Sequence, residues 1–188
     1  DTNRVTMRGH SNGVTSVAVV PDGRVVSGSY ACIVKVWNRS EATNPVTLSG
    51  HTNRVTSIAV LADGRVVTGS YDFTVKVWIR SVPASPVTLS GHTARVTSVA
   101  VLPDGRVVSG SYDFTVKVWN LSDATNPVTI SGHTNRVTSV AVLPDGRVVS
   151  GSYDITVKVC NLSDATNPVT ISGHTNRVTS IAVLADGR

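Results

Sequence analysis

The chain has 188 residues, enough for one sizeable core, and its 40% apolar and 15% charged composition excludes a disordered segment. No apolar run approaches the roughly 20 residues of a membrane-spanning helix, and no signal-peptide pattern opens the chain. The net charge of +5 hints at a nucleic-acid groove, but its distribution argues against one. Arg95, Arg106 and Lys117 balance Asp104, Asp113 and Asp123 within residues 91–131, and the excess is scattered over Arg4, Arg8, Arg39, Arg80, Arg177 and Arg188 rather than set in a continuous stripe with stacking aromatics.

The start at Asp1 rather than Met is expected of a processed chain or an excerpt. Residues 1–8 contain Asn3-Arg4-Val5-Thr6-Met7, which aligns with Asn126-Pro127-Val128-Thr129-Ile130 and predicts an opening strand of the kind that ends a unit. Four complete units follow, over 9–49, 50–90, 91–131 and 132–172. They are marked by Gly9-His10, Gly50-His51, Gly91-His92 and Gly132-His133, and Gly173-His174 opens a partial unit over 173–188. Each pair lies 41 residues after the last. Repeats of this period cannot bury their apolar faces alone and must stack on their neighbours, so residues 1–188 read as one domain.

Within 91–131, Val96–Val101 alternates and predicts a first strand. Pro103-Asp104-Gly105 forms a tight turn, Arg106–Ser111 a second strand, Tyr112-Asp113-Phe114 the next turn, and Thr115–Trp119 a third strand. Asn126–Ile130 is a short fourth strand, with Pro127 tolerated at a sheet edge. Each unit is therefore a four-stranded antiparallel meander with Val and Ile on both faces, to be covered on both sides. The fold class is all-β, and radial packing of such sheets gives a β-propeller. Val178–Leu184 predicts one more inner strand, making eighteen strands in all. An inner and an outer strand are not neighbours in a blade, so the ends are not expected to seal a ring. A longer parent chain, or self-association of two chains, would complete it.

With Gly-His before the inner strand, Pro-Asp-Gly at the first turn, Asp in the second and Trp closing the third strand, the unit resembles the WD40 repeat over the whole chain. The Asp that usually follows the Trp is absent, replaced by Asn38, Ile79 and Asn120. The resemblance implies a structural tetrad of loop His, second-strand Ser or Thr, turn Asp and third-strand Trp. These are His51, Thr68, Asp72 and Trp78 in one unit, and His92, Ser109, Asp113 and Trp119 in the next. The first unit has His10, Ser27 and Trp37 but Ala31 for Asp; the fourth has His133, Ser150 and Asp154 but Cys160 for Trp. These two are expected to be the weaker blades.

The His, Ser and Asp do not read as a catalytic triad. They recur at identical offsets, and no Gly-x-Ser-x-Gly turn presents a nucleophile. No enzyme activity and no cofactor is expected. Cys32 and Cys160 occupy non-equivalent positions, which suits neither a disulfide framework nor a zinc site. They point to a reducing, cytoplasmic setting, although the sequons at Asn38, Asn120 and Asn161 would matter on a secretory route.

The resemblance further implies a non-catalytic scaffold for protein or peptide binding, working through the rim of loops before the inner strand and between the second and third strands. Those loops carry Tyr30, Tyr71, Tyr112 and Tyr153 with Arg54, Arg95, Arg136 and Arg177. Tyr and Arg are interface hot-spot residues, and their alternation suits an acidic or phosphorylated segment. The opposite rim, with Asp-Gly-Arg at 63–65, 104–106 and 145–147, is charge-balanced. Alternatives are a carbohydrate-binding propeller, with Tyr stacking on sugars, and an enzyme site in a ring centre built with further residues. Units 91–131 and 132–172 differ only at Ala94/Asn135, Phe114/Ile155 and Trp119/Cys160. That near-identity suits a symmetric partner, and equally recent duplication or design without an evolved ligand.

Overall fold

The structure is a computed structural model that describes residues 5–79 and 85–184. Among these residues sixteen strands form four antiparallel sheets, each a meander in chain order. The first sheet holds β1 (Val14–Val19), β2 (Val25–Ser29), β3 (Ile33–Asn38) and β4 (Glu41–Ser49). The second holds β5 (Val55–Val60), β6 (Val66–Ser70), β7 (Val75–Trp78) and β8 (Val87–Leu89). The third holds β9 (Val96–Val101), β10 (Val107–Ser111), β11 (Val116–Asn120) and β12 (Asp123–Ile130). The fourth holds β13 (Val137–Val142), β14 (Val148–Ser152), β15 (Val157–Cys160) and β16 (Val169–Ile171). The β-branched runs form strands by pairing within each sheet.

The sheets are propeller blades. β1 packs beside β5, β5 beside β9 and β9 beside β13, so the first strands line the inside of an arc. Between blades the cover is mutual: β6 and β10 are buried at every position. Three devices repeat at each blade boundary. Thr15 Oγ1 donates to Val55 O at 2.7 Å, as Thr56, Thr97 and Thr138 do to Val96, Val137 and Val178. Ser16 Oγ accepts from the Ile58 N–H at 3.1 Å, and Ser57, Ser98 and Ser139 accept in the same way. Gly28 receives Val55, whose Cγ1 lies 2.6 Å from where a Cβ would stand. A side chain there would drive the blades apart.

The two predicted terminal strands do not form. Of the N-terminal segment, Asn3 and Arg4 lie outside the described residues, and Val5–Arg8 is irregular. Val178–Leu184 is also irregular, although Val178 is buried against Gly151 and its N–H donates to Ser152 O. A strand needs an in-sheet partner. In the full units the first strand pairs with the second, and Val178–Leu184 has no such second strand among the described residues.

Two fourth strands are longer than expected, β12 beginning at Asp123 rather than Asn126. An Asx turn leads into it: Ser122 N–H and Oγ–H both donate to Asn120 Oδ1, at 3.1 and 2.9 Å, and Asp123 pairs with Asn120. The arc is open at β1, where Val14, Val17 and Val19 are 54%, 65% and 66% exposed. Their counterparts Val55 and Ile58 are 0% and 9% exposed under the preceding blade.

Candidate functional site

Two layers of side chains are built on one end of the arc, where the loop before each inner strand meets the turn between second and third strands. The lower layer is the hydrogen-bonded chain of His, Ser or Thr, Asp and Trp. In the third blade Trp119 Nε1–H donates to Ser109 Oγ at 2.7 Å, and that hydroxyl lies 2.8 Å from His92 Nε2. His92 Nδ1–H donates to Asp113 Oδ2 at 2.7 Å. Because a carboxylate only accepts, the proton belongs on Nδ1, and the Ser hydroxyl donates to Nε2. Asp113 also accepts from the Thr93 N–H, and from the N–H and hydroxyl of Thr115. The second blade repeats the set with His51, Thr68, Asp72 and Trp78.

Burial works against the charge on Asp72 and Asp113. The bonds from His and Thr outweigh it and hold both carboxyls far below the ordinary carboxylate range. Asp154 is held to about 2 by the same balance. Burial lowers the pKa of His133. Ser109 and Thr68 are 0% exposed, and their hydroxyls already serve Trp and His. A substrate has no route to them, so the chain of donors is structural glue.

The fourth blade keeps His133, Ser150 and Asp154 in contact but has no indole to donate to Ser150. Its Cys160 is buried among Val148, Leu162 and Ala165. Burial, with help from Asp164, pushes the Cys160 thiol pKa up, which makes it a poor nucleophile. The first blade keeps His10, Ser27 and Trp37 together, and His10 Nδ1 is buried without a hydrogen-bond partner.

The upper layer is the Tyr and Arg row. Tyr71, Tyr112 and Tyr153 are seated by N–H donation to the carbonyls of Arg54, Arg95 and Arg136 in their own blades. Each Arg then leans onto the ring of the preceding blade. Arg54 stands 4.8 Å from the Tyr30 centroid, Arg95 4.6 Å from Tyr71, Arg136 4.6 Å from Tyr112, and Arg177 5.0 Å from Tyr153. Arg95 also stacks on Tyr112 of its own blade at 3.8 Å. Cation–π contacts thus run unbroken from Tyr30 to Arg136, with Arg54 also 5.9 Å from Tyr71, and the Tyr112–Tyr153 ring pair at 6.3 Å carries the ladder on to Arg177.

None of these four guanidinium groups has a carboxylate partner among the described residues. The turn Asp residues are committed to His and Thr, and the ion pairs of Arg24, Arg65, Arg106 and Arg147 lie at the other end, with Asp22, Asp63, Asp104 and Asp145. Three of the scattered cations, Arg4, Arg80 and Arg188, lie outside the described residues. Along the inner strands runs an open groove of about 530 Å³, lined by Val60, Val101, Val142 and Val183 with neighbouring Leu and Pro. Among the described residues no titratable group lines it.

The family model for the WD domain, G-beta repeat, matches residues 2–38, 43–78, 84–120 and 125–161. The chain belongs to the WD40 repeat family. A comparison with curated proteins found no match. Each matched WD40 unit ends on or beside the third-strand Trp or its Cys160 replacement, so a sequence repeat carries the outer strand of one blade and the first three strands of the next. WD40 repeats generally serve as scaffolds for protein interaction.

Several residues that build this WD40 site were not singled out from the sequence. Thr74, Thr115 and Thr156 close the turn onto Asp through their hydroxyls, and Thr15, Ser16 and Gly28 with their counterparts lock the blades. Their return every 41 residues was the available signal. It was hidden because every other position returns as well.

Proposed function

We propose that this chain is a non-catalytic WD40 scaffold that binds an acidic or phosphorylated protein segment across the Tyr30–Arg177 ladder. One observation carries the reading: four guanidinium groups stand in a row without carboxylate partners among the described residues, each braced by a Tyr ring. Stacking fixes the guanidinium plane and leaves its N–H edges for an anionic partner, which makes Arg effective for bidentate carboxylate or phosphate recognition. The rings are covered by Arg, which disfavours the sugar-stacking alternative. The burial of Ser109 and Thr68 disfavours a hydrolase. A cytoplasmic setting belongs to the same proposal and rests on the two unpaired cysteines.

The test is peptide binding by fluorescence anisotropy. Acidic and phosphorylated peptides should bind with affinity that falls as salt rises, and the double variant R95A/R136A should lose at least tenfold. Equal binding by that variant, or preference for basic peptides, would sink the reading. The open face of β1 is a second contact surface in this proposal, to be covered by another blade from a longer parent chain or a second copy. Light scattering of the native protein and of Val17→Lys tests it; identical mass and identical stability of the two would speak against it.

A further inference from the structure

The first blade keeps the whole frame of the Asp site and lacks only the carboxylate. Its turn is drawn like the others: Ala31 N–H donates to Ser29 Oγ at 3.1 Å, matching 3.1 Å for Asp72 to Ser70 and 3.0 Å for Asp154 to Ser152. Cys32 takes φ +64°, matching Phe73 at +71° and Phe114 at +72°. Ser29 Oγ–H donates to Asn12 O as Ser70 Oγ–H does to Asn53 O. His10 stands against Trp37 at 5.9 Å between ring centroids, as His51 stands against Trp78 at 5.9 Å.

Two of the donors that bind Asp elsewhere are therefore in place around Ala31. His10 Nδ1 corresponds to the His51, His92 and His133 atoms that reach Asp at 2.6–2.7 Å. The Ser11 N–H corresponds to those of Thr52, Thr93 and Thr134, which reach it at 3.0–3.1 Å. A buried ring nitrogen with no partner costs free energy that a matching group would recover. Lys35, whose charge bears on His10, adds a field that favours an anion. Ile33 replaces the Thr whose hydroxyl completes the other sites, so one bond of the set is missing. The surroundings are also more open, with Ser11 and Tyr30 exposed and His10 only half-buried.

We infer that the space beside Ala31, between His10 and Ser11, binds a carboxylate group that the chain itself does not supply. The carboxylate comes either from a small free anion or from an Asp or Glu side chain of a docked segment. The second source rests on the proposed ladder function, since Tyr30 flanks the space and Arg54 covers Tyr30; the first does not.

The probe is sodium formate, titrated against sodium chloride at matched ionic strength and followed through the ¹⁵N signals of the histidine rings in the full chain. Formate should shift the His10 signals saturably, in the millimolar range, and raise Tm, while chloride does neither. Ala31→Asp fills the space from within, so in that variant formate should leave His10 unmoved. An acidic peptide that displaces formate, when its Asn/Gln analogue does not, identifies a partner side chain as the source. Failure to displace identifies the free anion. No His10 response beyond that to chloride, or an equal response in Ala31→Asp, overturns the inference. Neither result depends on R95A/R136A, so failure of the ladder reading remains distinguishable.

Discussion

Residues 120–130 and 161–171 have the same sequence, Asn-Leu-Ser-Asp-Ala-Thr-Asn-Pro-Val-Thr-Ile, and different structures. The first copy leaves β11 through a two-residue turn and runs as β12 from Asp123 to Ile130. The second curls into a 3-10 turn over Leu162–Asp164, and only Val169–Ile171 pairs, as β16. Directly before the first copy stands Trp119, 0% exposed, whose cluster includes Leu121 and Ala124. Before the second stands Cys160, whose thiol contacts the carbonyls of Asn161 and Asp164 while Leu162 packs inward. The indole is a wall against which the chain must stay extended. With only a thiol there, no ring bars the chain from turning, and it takes the 3-10 turn instead of extending. A strand boundary here is a packing decision made by one preceding side chain.

The harshest way to break the comparison is Trp119→Ala. It should remove about 3–5 kcal/mol of stability and shorten β12 toward the β16 pattern, read by urea unfolding and by amide exchange at residues 123–126. Loss of stability with β12 protection intact would show that the ring packs without directing the strand.

The reciprocal change, Cys160→Trp, should lengthen β16 and return a donor to Ser150. A gain of about 1–3 kcal/mol is expected, smaller than the Trp119 loss because Leu162 must be displaced. A variant that stays short at β16 would move the cause from position 160 to the neighbouring blade.

The other interrupted unit gives a third measurement. Ala31→Asp supplies an acceptor for His10 and should raise stability by about 1–2 kcal/mol at neutral pH. Its sign with pH is fixed. The carboxyls of Asp72, Asp113 and Asp154 have pKa values below the unfolded one, so the unfolded chain binds more protons. Their contribution is complete above about pH 4 and drains as pH falls through the folded values. Burial depresses the pKa of His10 and His133, and this acts in the same direction below the ordinary His range. The advantage of Ala31→Asp over the parent should therefore shrink in acid, as paired thermal melts between pH 7 and pH 2 would register. An advantage that grows in acid would refute the pairing.

The smallest effect concerns the turn that follows the Asp. Ile155 holds φ +66° and Phe114 +72°, a left-handed conformation that penalises a β-branched residue most. Ile155 is 43% exposed, so Ile155→Gly forfeits little burial and should gain about 1 kcal/mol, with Phe114→Gly gaining less.

Much of the fold could be read from one unit. The alternation in Val96–Val101, the Asp-Gly turn and the Trp that closes the third strand are local signals, and the period carried them to the other blades. The His–Asp–Ser–Trp contacts followed from the resemblance. Other features needed the third dimension. Nothing in residues 120–130 distinguishes them from 161–171, so their different outcomes were invisible. Val178–Leu184 has the same alternating pattern as its counterparts and still forms no strand, because pairing is a property of two segments. Tyr and Arg could be placed on one rim from the sequence. That each Arg rests on the ring of the preceding blade depends on how blades abut, and so does the exposure of Val14 and Val17.

Each blade boundary uses one Thr, one Ser and one Gly toward one Val and one backbone N–H and C=O of the next inner strand, and the whole set returns every 41 residues. A whole unit gained or lost by recombination between copies therefore brings its own boundary with it and needs no compensating change elsewhere. Copy number can drift while every junction stays chemically the same.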